Sequence, residues 1–246
     1  MPQAADDTTI DLTLSQVRQF YRHGFLATAK PLTTAEELAH IRDLLDGLFA
    51  RFDDLPPELA LDLGDVKNHP GAQRTPQINN AAQFEPRLLE TQYFRNARAM
   101  AQHLLGDDAK LHFDHAILKP PHNERATPWH QDLAYGARNN PDADITRFGC
   151  NIWMPLQDTG VEGGCMQFIP YSHLGNLRPH HSVGHDPKVH TLETDRYDAS
   201  KAVACPLKAG CVTIHQPKTL HYTGPNNTDT ARHTWILFFG IQPEWK

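Results

Sequence analysis

The sequence contains no apolar run approaching the ~18 residues that a bilayer-spanning helix needs. Its first stretch, Met1 to Asp11, is polar and acidic and lacks the hydrophobic core of a signal peptide. The expectation is a cytoplasmic protein with no membrane partner. Positive charge is also short: 23 Lys and Arg stand against 29 Asp and Glu, a formal net charge of −6. Non-specific nucleic-acid binding needs a basic surface, so a small-molecule partner is expected instead. Cysteine is sparse. Cys150, Cys165, Cys205 and Cys211 show no C-x-x-C spacing, and a chain of 246 residues needs no disulfide staples. They read as reduced, mostly buried thiols, with a cysteine-based zinc site as the lesser alternative. Internal repeats and low-complexity segments are also missing.

Histidine, by contrast, is abundant at 16 residues. That favours a metal site without locating it. The length suits one domain over 1–246, with a mainly helical annex over 1–108 and a β core over 109–246. Val17, Phe20 and Tyr21 predict a helix over Leu14 to His23, ended by Gly24, with a short strand over Phe25 to Ala29. Thr33-Thr34 caps a second helix with Glu36 and Glu37 in its first turn and a stripe of Leu38, Ile41, Leu44, Leu45 and Leu48. Residues 53–76 are rich in Pro and Gly and read as a long irregular connection. A third helix is expected from Pro86 to Leu105, broken by Gly106-Asp107-Asp108. Beyond Ala109, short β-like runs alternate with turn clusters: 111–118, 148–156, 165–169, 202–206, 212–215 and 232–239. Strands of that length predict a mainly β fold of jelly-roll type with flanking α-helices. The polar stretch over about 175–198 holds His180, His181, His185 and His190 and reads as a surface insertion of the kind that forms lids.

The sharpest local feature is Trp129-His130-Gln131-Asp132. In extended chain, residues two apart point the same way, so His130 and Asp132 can reach one ion. The best candidate for a third ligand is His221. Two histidines and a carboxylate occupy one face of an octahedron and leave the other open, which suits a redox-active Fe(II) rather than a closed structural zinc site. H-x-D alone is a weak signal; His112 and Asp114 form a second one, and His180-His181 shows how common histidine clusters are here. The residues just beyond His221 add weight. Thr223 precedes the turn Gly224 to Asp229, and Arg232 then opens an apolar run. The turn folds the chain back and brings Arg232 beside Thr223. A dicarboxylic keto acid chelating the iron needs a charged partner for its far carboxylate. An arginine fork with a hydroxyl beside it provides one, whereas Arg232 taken alone reads as a strand-start surface residue. His173 and His215 read as packing or turn residues.

Taken together, the sequence resembles the phytanoyl-CoA dioxygenase family of Fe(II)/2-oxoglutarate oxygenases. The resemblance is carried by Phe20 to Leu26, Lys119-Pro120-Pro121, Trp129 to Leu133, Trp153, Gly163 to His173, and His221 to Asn226 with Arg232, in the family's order. It implies a double-stranded β-helix, cupin-like core flanked by N-terminal helices. It implies iron ligation by His130, Asp132 and His221, with Arg232 and Thr223 on the far carboxylate of 2-oxoglutarate and Trp153 lining that pocket. His115 and Gln77 occupy positions that contact cosubstrate in relatives. The implied activity is oxidation, most often hydroxylation, of an unactivated C–H bond by O2, with 2-oxoglutarate converted to succinate and carbon dioxide. One departure stands out: Tyr171 replaces the glycine of the family's Pro-Gly-Ser-His turn, which puts the local backbone in question. Tyr135, Arg138, Arg147 and the 178–190 stretch are candidates to line the substrate site. Two alternatives remain. A metal-dependent cupin-like isomerase or hydrolase would use the triad without needing Arg232 or Thr223, and a silent binding homologue would need none of them.

Overall fold

The computed structural model describes residues 12–64, 71, 73–139, 149–186 and 189–241. In chain order the elements are α1 (Leu14–His23), β1 (Phe25–Ala27), α2 (Ala35–Ala50), β2 (Ala60–Asp62), β3 (Pro76–Asn79), α3 (Ala81–Phe84) and α4 (Gln92–Leu105). Then come β4 (Lys110–Lys119), β5 (Thr127–His130), α5 (Leu133–Asn139), β6 (Gly149–Pro155), β7 (Met166–Phe168), β8 (His181–Ser182), β9 (Leu192–Glu193), β10 (Val203–Cys205), β11 (Thr213–His215), β12 (His221–Thr223) and β13 (Arg232–Gly240).

The first two helices start where the sequence places them, and α2 is capped by Thr34 as expected. Thr13 and Gln16 form a reciprocal capping box at α1, and the Thr34 hydroxyl accepts from Glu37 N at α2. The expected helix over 86–105 is divided: Pro86–Glu90 forms a 3-10 turn, and α4 begins afresh at Thr91. The Thr91 hydroxyl accepts from Phe94 N, and the Glu37 carboxylate of α2 accepts from Tyr93 N at 3.0 Å. A local and a tertiary acceptor together satisfy the free N–H groups of a new helix start.

Two antiparallel sheets build the β core, a mixed β-rich fold consistent with the double-stranded β-helix. The larger has the order β1-β11-β6-β13-β4-β3-β2 and the smaller β10-β7-β12-β5. The strand expected after Gly24 is present as β1, and two strands not expected, β2 and β3, also join the larger sheet, with β2 inside the connection read as irregular. The larger sheet is covered on both faces, and its strands sort their residues by parity. Cys150, Ile152 and Met154 of β6 and Trp235, Leu237 and Phe239 of β13 pack with Ile41, Leu45 and Met100 from α2 and α4. The alternate residues, Trp153 and Ile236, pack with Met166 and Phe168 of the smaller sheet. All four cysteines are free and buried. Among the described residues no helix is long and apolar enough to cross a membrane.

Parity also disposes of the second H-x-D. Asp114 lies on the helix-facing side of β4, where its carboxylate accepts from the Trp235 indole N–H at 2.9 Å and from Ala82 N at 3.2 Å. His112 is bonded to Gly240 O at 3.1 Å. At the Tyr171 turn, the backbone keeps the left-handed conformation (φ 65°) that glycine adopts freely, and the phenol ring rests edge-on against His23. Asp114→Ala should cost about 2–4 kcal/mol in denaturant unfolding, because it strands two buried donors. Asp114→Asn keeps an acceptor and should recover most of that loss, and neither change should alter metal affinity.

Candidate active site

β5 and β12 are antiparallel neighbours, and their register sets His130 directly opposite His221. The ring centroids are 4.1 Å apart. Both rings are oriented in the same way: Nδ1 of His130 lies 2.8 Å from Pro128 O, and Nδ1 of His221 lies 2.9 Å from Thr219 O. A carbonyl accepts only, so each Nδ1 carries the proton and each Nε2 is left to ligate. Both Nε2 atoms converge on Asp132 Oδ1, at 3.2 Å and 3.4 Å. The three ligand atoms lie within 4.8 Å of one another, on a common face as a facial triad requires. The donor set of two neutral imidazoles and one carboxylate fits Fe(II).

The electrostatics suit a cation-binding carboxylate. Burial would raise the Asp132 carboxyl, but the three imidazoles around it outweigh burial and hold it well below the usual carboxylate range. Burial and the neighbouring His221 lower His130. Burial opposes charge on His221 too, yet Asp132 prevails and raises it.

One cavity of about 410 Å³ reaches from this cluster into the space between the two sheets. Arg232, at the start of β13, lines it and is only 2% exposed. Nη1 donates to Gly164 O at 2.5 Å, and the guanidinium stands 5.7 Å from the Trp153 ring. Gly164 is left-handed (φ +74°), and a Cβ there would meet Gly224 O at 2.5 Å; only glycine brings this carbonyl so close to Arg232. Arg232 Nε and Thr223 Oγ1 are buried and have no partner. Burial draws Arg232 down to about 10, with no carboxylate of the described chain to counter it. A buried guanidinium and hydroxyl left partly unsatisfied are what an incoming anion would complete. Trp153, His115 and Gln77 line the same cavity. His115 presents a buried, unpartnered Nδ1, and burial takes it to about 4, so it is neutral at ordinary pH. The Gln77 amide donates to Asn79 Oδ1 at 2.8 Å.

All eight residues singled out in the sequence thus surround one cavity. The substrate-side candidates divide. Tyr135 and His190 line the cavity, joined by Thr191 just beyond the expected stretch; Arg138 stays outside it and donates to His190 O at 3.0 Å; Arg147 lies outside the described residues. Two further groups went unrecognised. Asn151, inward-facing on β6, and His215, read as a packing residue, both reach Asp132 Oδ2, at 2.8 Å and 3.2 Å. Strand parity is the signal that could have found Asn151, which shares a face with Trp153. His181, His185 and Asp195 also cluster on the insertion, but His185 and Asp195 are exposed and His181 is already paired with Asp195 at 3.1 Å.

Comparison with known proteins agrees with this geometry. The sequence model of the family described as Phytanoyl-CoA dioxygenase (PhyH) matches residues 20–234. A probable alpha-ketoglutarate-dependent hypophosphite dioxygenase of Stutzerimonas stutzeri is 26% identical over 152 residues, 59% of this chain and 50% of that protein. An L-proline trans-4-hydroxylase of Streptomyces griseoviridis is 30% identical over 147 residues, 56% of this chain and 50% of that protein. The matched segment thus spans about half the length of these curated relatives. The crystal structure of EvdO2 from Micromonospora carbonacea var. aurantiaca aligns with a TM-score of 0.80 at 34% identity, covering 95% of this chain and 92% of that one. A second structure of EvdO2, complexed with 2-oxoglutarate, aligns with a TM-score of 0.78 at 30% identity. With the His130, Asp132 and His221 triad intact and the family match running through nearly the whole chain, this protein belongs to the phytanoyl-CoA dioxygenase family of Fe(II)/2-oxoglutarate oxygenases.

Proposed function

We propose that the chain acts as one catalytic unit, an Fe(II)- and 2-oxoglutarate-dependent dioxygenase that hydroxylates an unactivated C–H bond of a small-molecule metabolite. The observation that carries this reading is the pairing, in one cavity, of the His130, Asp132 and His221 cluster with a buried arginine whose Nε has no partner. A metal-dependent isomerase or hydrolase would leave that guanidinium without a task.

His130, Asp132 and His221 hold the ferrous ion. Arg232 and Thr223 grip the far carboxylate of the keto acid, the guanidinium by charge-assisted bonds and the hydroxyl as a further donor. Trp153 walls this end, and His115 and Gln77 complete its lining. Bound there, the ion, the keto acid and oxygen supply the oxidising chemistry, with succinate and carbon dioxide as co-products. The protein's own part is to orient the substrate and keep water out. Phe113, Leu133 and Phe238 provide apolar walls, and Tyr135, His190 and Thr191 face the remaining space. A cavity of about 410 Å³ that must also admit the keto acid suits a small metabolite. A carboxylate at 132, rather than a small residue that would open a place for halide, favours hydroxylation over halogenation.

Anaerobic addition of Fe(II) and 2-oxoglutarate should produce the weak visible charge-transfer band of a chelated keto acid. Asp132→Ala should abolish both the band and succinate release, and near-normal turnover by that variant would refute the metal assignment. Arg232→Ala should leave ion binding in place but weaken 2-oxoglutarate binding by about 1.5–3 kcal/mol, roughly tenfold to 150-fold. An unchanged keto-acid affinity would instead favour the isomerase or hydrolase reading. Ion binding should also depend on pH with a definite sign. Against the effect of burial, Asp132 raises the His221 imidazole above its ordinary value, and that proton must leave before Nε2 can ligate. Below that pKa, affinity for Mn(II) should fall about tenfold per pH unit; above it, affinity should level off. Anaerobic titrations from about pH 6 to pH 9 measure the slope.

A further inference from the structure

The two oxygens of Asp132 face different neighbours. Oδ1 looks toward Nε2 of His130 and of His221, at 3.2 Å and 3.4 Å. Oδ2 looks away from them, toward the Asn151 amide nitrogen at 2.8 Å and His215 Nε2 at 3.2 Å. These two side chains come from adjacent strands of the larger sheet. His215 of β11 pairs directly with Asn151 of β6, so they emerge side by side on the cavity face. They are 2% and 4% exposed, so neither is a surface group that meets the carboxylate by chance.

An ionised carboxylate accepts and does not donate, so both atoms facing Oδ2 are donors: the amide NH2 of Asn151 and a protonated Nε2 of His215. We propose that Asn151 and His215 are positioning residues, a clamp on Oδ2 that holds Asp132 as a one-oxygen ligand. The proposal rests on the reading of Asp132 as a metal ligand and extends it to the groups that aim it.

Three physical reasons support the clamp. A carboxylate can bind an ion through one oxygen or two, and a second bond would consume a position that keto acid and oxygen require. Two donors on Oδ2 engage its lone pairs and fix rotation about the Cβ–Cγ bond, so only Oδ1 faces the ion. Neither donor is an arginine or lysine, whose fixed charge would draw negative charge away from the metal; an amide and an imidazole hold the oxygen without that fixed charge. His215 is not itself a ligand in this arrangement. Its Nε2 sits on the Oδ2 side, and the grouping of close ligand atoms comprises His130, Asp132 and His221 alone among the described residues.

Simple packing is the competing role, since the His215 ring also lies 5.2 Å from Phe168 and 4.5 Å from His221. Two measurements on the full chain separate the roles. Histidine-selective 15N NMR of the Zn(II)-loaded wild type reads the tautomer of His215. The clamp requires the proton on Nε2; a proton on Nδ1 with bare Nε2 overturns it, and no variant needs to fold for that result. Anaerobic Co(II) titration then reads affinity and ligand-field spectrum together. Asn151→Leu and His215→Phe keep the volume and lose the donor, and each should weaken Co(II) binding roughly tenfold to hundredfold and alter the spectrum. His215→Gln keeps an N–H donor and should restore most of the affinity, which a ring needed only for packing would not allow. Wild-type affinity and spectrum in folded Asn151→Leu and His215→Phe overturn the clamp. Asp132→Ala tells the two failures apart: loss of Co(II) binding there, with none in the clamp variants, sinks the clamp alone. Retained binding in Asp132→Ala sinks the metal reading on which it rests.

Discussion

The antiparallel pairing of β5 with β12 is the constraint on which the site depends. It sets His130 opposite His221 and directs both Nε2 atoms to one oxygen of Asp132. Register in a buried strand pair is unforgiving, because a slip of one residue turns every side chain to the other face. Here such a slip would take His221 and Thr223 out of the cavity together. The pairing is also irregular: Thr223 lies opposite Thr127, so β5 spends one more residue than β12 over the same span. A bulge of this kind re-aims side chains. Thr127 and His130, three apart, consequently both line the cavity.

The larger sheet supplies the rest by alternation. Phe113, His115 and Ile117 of β4, Asn151 and Trp153 of β6, and Arg232, Ile236 and Phe238 of β13 all face the cavity. Their neighbours in sequence face the helices: Asp114 and Ala116, Ile152 and Met154, Trp235 and Leu237. Each strand therefore serves two environments, a dry helical interface and a polar chamber. That division lets a buried arginine and two buried neutral imidazoles, His115 and His215, coexist with a large apolar core. It also separates two H-x-D sequences that look alike on paper. One has both ligand side chains on the chamber side; the other ties its aspartate to the indole of Trp235 behind the sheet.

Gln131, the residue between the two ligands at 130 and 132, is fully buried and joins the motif to its surroundings. Its side chain accepts from Arg178 N and donates to Lys218 O, and its backbone N–H donates to His180. Thr194 N bonds to Trp129 O. The insertion is thus fastened to the metal-binding segment at several points, and it contributes His190 and Thr191 to the cavity wall. A change of sequence at His190 or Thr191 would alter the cavity wall without touching the ligands.

Much of this was legible in the chain itself. The helix over Leu14 to His23, the cap at Thr34, six strands of the β core (β4, β6, β7, β10, β11 and β13, though not β5 or β12), the H-x-D with its distant histidine, and the arginine beyond a turn are local patterns. Local chemistry determines them: a hydroxyl caps a helix wherever it precedes one, and a strand shows its parity in residue type. What tertiary structure alone decided is which distant groups share a space. Nothing near Asp132 in sequence announces Asn151 and His215, because they reach its carboxylate only after β6 and β11 pair and the two sheets close. The break at Thr91 has the same origin, since the Glu37 carboxylate that helps cap α4 comes from another helix. Likewise β2 and β3 are too short to declare themselves, and they exist because an existing sheet edge supplies their hydrogen bonds. Sequence sets the identity and facing of each side chain; the pairing of strands far apart in the chain sets what each one meets.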